Sequence, residues 1–198
     1  MSRLTRRSFV ASAAAATLLP VAPAFALTKR SARSLVDKVV AEINTIIASG
    51  KSEPAMIRDF EGVFANYADV NFIGRYTLGV DARSMSDAEI SRYSRAFQGY
   101  MARKYGKRFR DFIGGQVVVK DAKSVKSWID VETETTIRGS TPFEVVFSVT
   151  DRSGSDKFFN MYIEGVNLLL TERAEIQAML DKRRGNVDRL ISDLSKAG

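Results

Sequence analysis

The 198-residue chain has no cysteine and no histidine. Without thiols there is no disulfide to staple a small core, no thiolate nucleophile and no sulfur metal site. Without imidazole there is no Ser-His-Asp triad and no histidine-held metal. A carboxylate site for Mg²⁺ or Ca²⁺ stays open in principle, but the acids show neither EF-hand spacing nor a dense acidic loop. No glycine-rich stretch has the spacing of a phosphate cradle. Internal repeats, low-complexity runs and a linker long enough to divide the chain are also missing. These gaps favour binding over catalysis, with no cofactor and no metal, and no residue is assigned a catalytic role.

Long hydrophobic runs are scarce too. The most apolar stretch, Phe9 to Leu19, is too short to span a bilayer of roughly 30 Å. Its setting gives it a different reading. Arg3, Arg6 and Arg7 precede it and Ala24-Phe25-Ala26 follows as a small-x-small cleavage site, so residues 1–26 read as an export signal. Within them Thr5-Arg6-Arg7-Ser8-Phe9-Val10 looks like a twin-arginine signal, whose pathway carries folded proteins. That segment holds three arginines and no acid, so it supplies three of the seven net positive charges. The modest positive balance left to residues 27–198 does not require nucleic acid.

What remains is a series of amphipathic helices around one strand-rich stretch. Phe143, Val145, Phe147 and Val149 alternate along one strand, and Phe159, Met161 and Ile163 along the next. With the polar turn Asp151–Asp156 between them, they predict a hairpin with an aromatic inner face. Further strands are expected at 116–120 and 125–138. The second sets Ile129, Val131, Thr133, Thr135 and Ile137 against Asp130, Glu132, Glu134 and Arg138. Trp128 falls out of phase with that core set.

Apolar residues at three- and four-residue spacing predict helices over 34–49, 52–67 and 69–78. Ser86-Asp-Ala-Glu89 is a capping box that opens a longer one, in which Gly99 is a mild cost or a close-packing point. Leu27–Arg33 is expected to fray, and helices over 172–184 and from Asn186 close the chain. The order predicts an α+β single domain: one curved antiparallel sheet of about four strands, packed by N-terminal and C-terminal helices.

Several stretches resemble the MlaC-type periplasmic phospholipid carriers, also called toluene-tolerance auxiliary proteins. They are Phe60-x-x-x-Phe64 with Tyr67-Ala-Asp69, Ile73-Gly-Arg-Tyr76 with Leu78-Gly79, and Phe97 and Tyr105. Ile163-Glu-Gly-Val-Asn-Leu168, Arg173 and Val187-Asp-Arg-Leu-Ile-Ser-Asp-Leu194 complete the set. Two family tryptophan positions lack tryptophan here, and Asn167 replaces the usual serine.

The resemblance implies a periplasmic shuttle with a hydrophobic cavity for phospholipid acyl chains, and a part in outer-membrane lipid asymmetry. Its partners would be an inner-membrane ABC transporter complex with a membrane-anchored lipid-binding subunit and an outer-membrane lipoprotein complex. On that expectation the tail pocket is lined by Phe64, Phe72, Tyr76, Tyr93, Phe97 and Met101 from helices. The strands add Val131, Phe143, Val145, Phe147, Met161 and Ile163. Arg103, Lys104, Lys107, Arg108 and Arg110 read either as a solvated helix end or as a rim for headgroups or an acidic partner. Apolar periodicity alone is met equally well by a filled core. The alternative is an exported binding or scaffold domain for another hydrophobic ligand, such as a hopanoid, without a phospholipid role. An enzyme built on Ser, Tyr, Lys and carboxylates is the third possibility. Asp130, Glu132 and Glu134 lie two apart on one strand face, which suits a solvated face better than a catalytic pair. Glu164 and Arg173 are expected to be structural.

Overall fold

The computed structural model describes residues 26–107 and 111–198. All but Ala26 of the expected export signal, and both Arg108 and Arg110, lie outside the described residues. Helices α1 (Lys29–Ala48), α2 (Glu53–Tyr67), α3 (Val70–Leu78) and α4 (Asp87–Gly106) come first, with a 3₁₀ turn at Asp81–Ser84. Strands β1 (Gln116–Val125), β2 (Trp128–Thr136), β3 (Phe143–Thr150), β4 (Lys157–Ile163) and β5 (Val166–Asn167) follow, then α5 (Leu168–Lys182) and α6 (Val187–Leu194). The strands form one antiparallel sheet in chain order, so the α+β class and the single sheet stand as expected. No helix among the described residues is long and apolar enough to cross a membrane.

Local chemistry explains where the boundaries differ. Lys29–Arg33 is helical rather than frayed, because Thr28 and Ser31 cap each other reciprocally at 3.0 and 3.1 Å. Asp151 adds a bond at 3.0 Å from the Leu27 amide. β1 runs to Val125 through a bulge between Val119 and Asp121, and the turn to β2 falls at Lys126–Ser127, with Lys126 at φ 52°. The expected strand from residue 125 to 138 had run through that turn, which carries no glycine to announce it. α5 starts at Leu168 rather than Glu172. Asn167, the serine replacement, accepts from the Leu170 amide at 3.1 Å as its cap.

β4 carries the largest correction. A register shift between Ser148 and Val149 inserts one residue into β4, so Phe158 faces Val149 while Met161 faces Phe147. Phe158, not Phe159, therefore joins the inner row, packing edge-on against Phe64 and Phe147. Phe159 meets Phe72 and Trp128 instead. Trp128 donates its indole N–H to Asp130.

The helices pack on the inner sheet face, with α1 along β1 and α5 beside β4. Asn44 pairs with both the N–H and the C=O of Val117 at 3.0 Å. Arg33 takes the carbonyls of Val119 and Lys120, so side chains from α1 satisfy the open edge of the sheet. Close approach is needed at Gly115, where a Cβ would lie 2.3 Å from the Thr136 carbonyl oxygen, a backbone atom. Gly62, inside α2, has no neighbour within 4 Å of that position. Gly115→Ala should thus destabilise the protein by about 1–3 kcal/mol, and Gly62→Ala should stabilise it by about 0.4–1 kcal/mol. Urea unfolding midpoints check both. Equal shifts for the two variants would contradict the packing described.

Candidate functional site

Burial along the hairpin is graded. Phe147, Val149 and Phe158 are buried, whereas Phe143, Val145, Met161 and Ile163 on the same inner face are only half-buried. That end of the face lines a cavity of about 330 Å³. Phe143, Val145 and Phe147 come from β3 and Met161 and Ile163 from β4, at the two-residue spacing that a strand imposes. Thr135 of β2, Ile137 just past its end and Val117 of β1 extend the wall. Opposite them stand Ile43 of α1, Phe60 and Phe64 of α2, Met101 and Tyr105 of α4, and Leu168 of α5. The two i, i+4 pairs present one helix face each. Phe112, edge-on to Phe143, together with Asp111 and Glu164, completes the lining, which is chiefly apolar.

A smaller cleft of about 30 Å³ adjoins it, sharing Phe64, Met101, Met161 and Leu168. Ile73, Phe97, Phe158, Phe159, Asn160, Leu169 and Glu172 form the rest.

Seven of the twelve residues expected at a tail pocket line the larger cavity: Phe64, Met101, Phe143, Val145, Phe147, Met161 and Ile163. Phe97 lines only the cleft. The structure places the other four outside both. Tyr93 is fully buried, stacked on Phe97 with its hydroxyl 3.0 Å from Thr77, and Val131 is fully buried across from Phe147. Phe72 and Tyr76 stack on each other along α3, under the guanidinium groups of Arg152 and Arg173. Reading the sequence for a pocket missed Ile43 and Phe60, although both lie on apolar helix stripes. It also missed Phe112 and Leu168, which no periodic signal marks.

The basic run turns towards the C-terminal helices. Arg103 donates to the carbonyls of Leu194 and Ala197, at 2.5 and 2.8 Å, and Lys107 to that of Gly198 at 2.5 Å. Lys104 bonds Glu172 at 2.8 Å and Glu175 at 2.5 Å. On the outer sheet face Glu132 and Glu134 pair with Lys123 and Lys120, and Asp130 accepts from Ser148.

The Lys104 cluster joins α4 to α5. Tyr105 donates to Glu172 and Tyr100 to Glu175, both at 2.5 Å. Burial alone would lower the Lys104 ammonium, but its hydrogen bonds to Glu172 and Glu175 win and hold it above its ordinary value. Burial likewise opposes the bonds from Lys104 and Tyr100 at Glu175, and the bonds hold that carboxyl below the usual range. Burial first and the carboxylate acceptors second push the phenols of Tyr100 and Tyr105 well up, and burial does the same to Tyr93.

The sequence model described as "MlaC protein" matches residues 33–196. The chain belongs to the MlaC family. Its fold also matches a solved phospholipid-binding protein from Ralstonia solanacearum, determined in complex with a phospholipid. That match has a TM-score of 0.71 at 16% identity, covering 84% of this chain and 96% of the other. At that identity the likeness between this MlaC-family chain and the solved protein is one of fold. No curated protein matches it significantly in sequence.

A raised folded-state phenol stabilises the fold fully below the unfolded value near pH 10, and that contribution is lost as the pH climbs past it. In an alkaline titration followed by tyrosinate absorbance, Tyr93, Tyr100 and Tyr105 should stay protonated until the fold melts. Smooth ionisation of all six tyrosines near pH 10, with circular dichroism unchanged, would contradict the buried cluster.

Proposed function

We propose that this MlaC-family chain is a periplasmic lipid carrier, and that its cavity of about 330 Å³ holds the acyl chains of a phospholipid. Residues 1–26 direct export, by the twin-arginine route that Arg6 and Arg7 suggest. The carrier exchanges cargo with an inner-membrane ABC transporter complex and an outer-membrane lipoprotein complex, and so serves outer-membrane lipid asymmetry. It has no catalytic role and no nucleic-acid partner, and lipid is its only bound group.

The observation that carries this reading is the apolar cavity itself, in a fold shared with a protein solved around a phospholipid. Magnitudes favour an occupant. The cavity is partly open, so its apolar lining is wetted when empty, and covering that lining is worth about 25 cal/mol per Å². From the cargo's side, each methylene kept from water is worth about 0.8 kcal/mol, so two chains of some 15 carbons gain roughly 25 kcal/mol from enclosure. The cavity lies near the small end of ligand sites, which run from about 300 to 1,000 Å³. Two full tails therefore need added room, which the partly open end of the cavity and the flexible side chains of Met101 and Met161 can supply.

Purification from the periplasm without detergent, followed by mass spectrometry, should find stoichiometric phospholipid. Val145→Trp and Ile163→Trp, which fill the cavity from its half-buried wall, should lose that lipid at unchanged circular dichroism. Replacing Arg6 and Arg7 by lysine should leave the precursor in the cytoplasm. Protein that is isolated empty and cannot be loaded from vesicles would overturn the carrier reading.

A further inference from the structure

Glu172 lies in the second turn of α5 with 1% of its surface exposed. Its Oε1 is served twice, by Lys104 and by Tyr105. Its Oε2 is closed off from solvent and has no hydrogen-bond partner among the described residues. Buried polar oxygens are nearly always paired, and an unserved carboxylate oxygen is among the costliest exceptions. Lys104 already supplies the countercharge, so what Oε2 lacks is a donor rather than a cation.

The setting limits what that donor can be. Glu172 lines the cleft of about 30 Å³, whose only other polar residue is Asn160. Asn160 uses its side-chain oxygen to accept from the Leu169 amide. The remaining wall is hydrocarbon and aromatic ring, and four of its residues belong to the acyl cavity as well. A cleft this size admits one water or one small group in its place. A phosphate would be too large and would be repelled by the carboxylate. A hydroxyl borne on hydrocarbon meets both limits: its body stays with Phe64, Met101 and Met161, and a small turn of the Glu172 side chain opens Oε2, closed to water as it stands, to the O–H.

We propose that the cleft is a recognition subsite for a hydroxyl group carried on the buried hydrocarbon part of the cargo, with Glu172 as its acceptor. The subsite rests on the carrier reading and refines it: this chain selects hydroxylated lipids from the phospholipid pool.

The test loads delipidated protein from vesicles holding equal amounts of phosphatidylcholines that differ only in one acyl hydroxyl, placed at three chain positions, with mass spectrometry of the bound lipid. Wild type should enrich at least one hydroxylated species by about tenfold over the unsubstituted one. Glu172→Leu, which removes the acceptor and offers no donor in its place, should abolish the enrichment while lipid still loads, since Lys104 keeps Glu175. Should Glu172→Leu not fold, Ile73→Phe fills the cleft from α3 with the Lys104 pair intact, and it should abolish the enrichment too. Equal loading of all species by wild type overturns the subsite but leaves the carrier, and so does enrichment that survives both variants. Failure of every lipid to load overturns the carrier reading itself.

Discussion

Helix and sheet close on each other around Phe158 but leave a cavity over the Phe143 end of β3, and the site depends on that asymmetry. At the closed end the Asp69 amide donates to the Phe158 carbonyl at 2.8 Å, joining the start of α3 to β4. The Phe158 ring sits edge-on between Phe64 and Phe147, filling the space between α2 and β3. Towards the other end the inner face continues as Val145, Phe143 and Ile163, still apolar but only half-buried, with Ile43, Phe60 and Tyr105 facing them across the cavity. An ordinary domain would close-pack that surface. Here apolar wall is left for something else to cover.

The elements around the cavity are fastened by polar contacts. Asn44 and Arg33 fasten α1 to the edge strand, and the amide of Leu169 is held by Asn160 of β4. The Lys104 cluster then locks α5 to α4. Such bonds fix the spacing of the elements they join. The same cluster leaves one buried carboxylate oxygen without a donor among the described residues, beside the apolar cavity.

Much of the fold could be read in the sequence, because its signals are local. The capping box at Ser86 and Glu89, the stop at Gly79 and the cap at Asn186 each act within one turn of helix. Alternation along β3 placed its inner row correctly. What escaped depends on pairing between distant segments. The extra residue in β4 that exchanges Phe158 for Phe159 is visible only against β3. The site was half legible for the same reason. Periodicity tells which side chains face inward, so Phe64, Phe147 and Met161 could be named. It does not tell whether an inward residue meets a neighbour or a void, and Tyr93 and Val131 proved to be solidly packed. Glu172 looked like any acid near a helix start until α4 brought Lys104 and Tyr105 against it.

On the proposed function, the space between Phe64, Val145 and Ile163 belongs to a ligand rather than to the core. A crystal structure of protein purified without detergent tests it directly. Continuous elongated density of acyl-chain shape, running from that space towards the half-buried end of the sheet, is expected. Side chains collapsed together, with no cavity and no density behind β3 and β4, would contradict it.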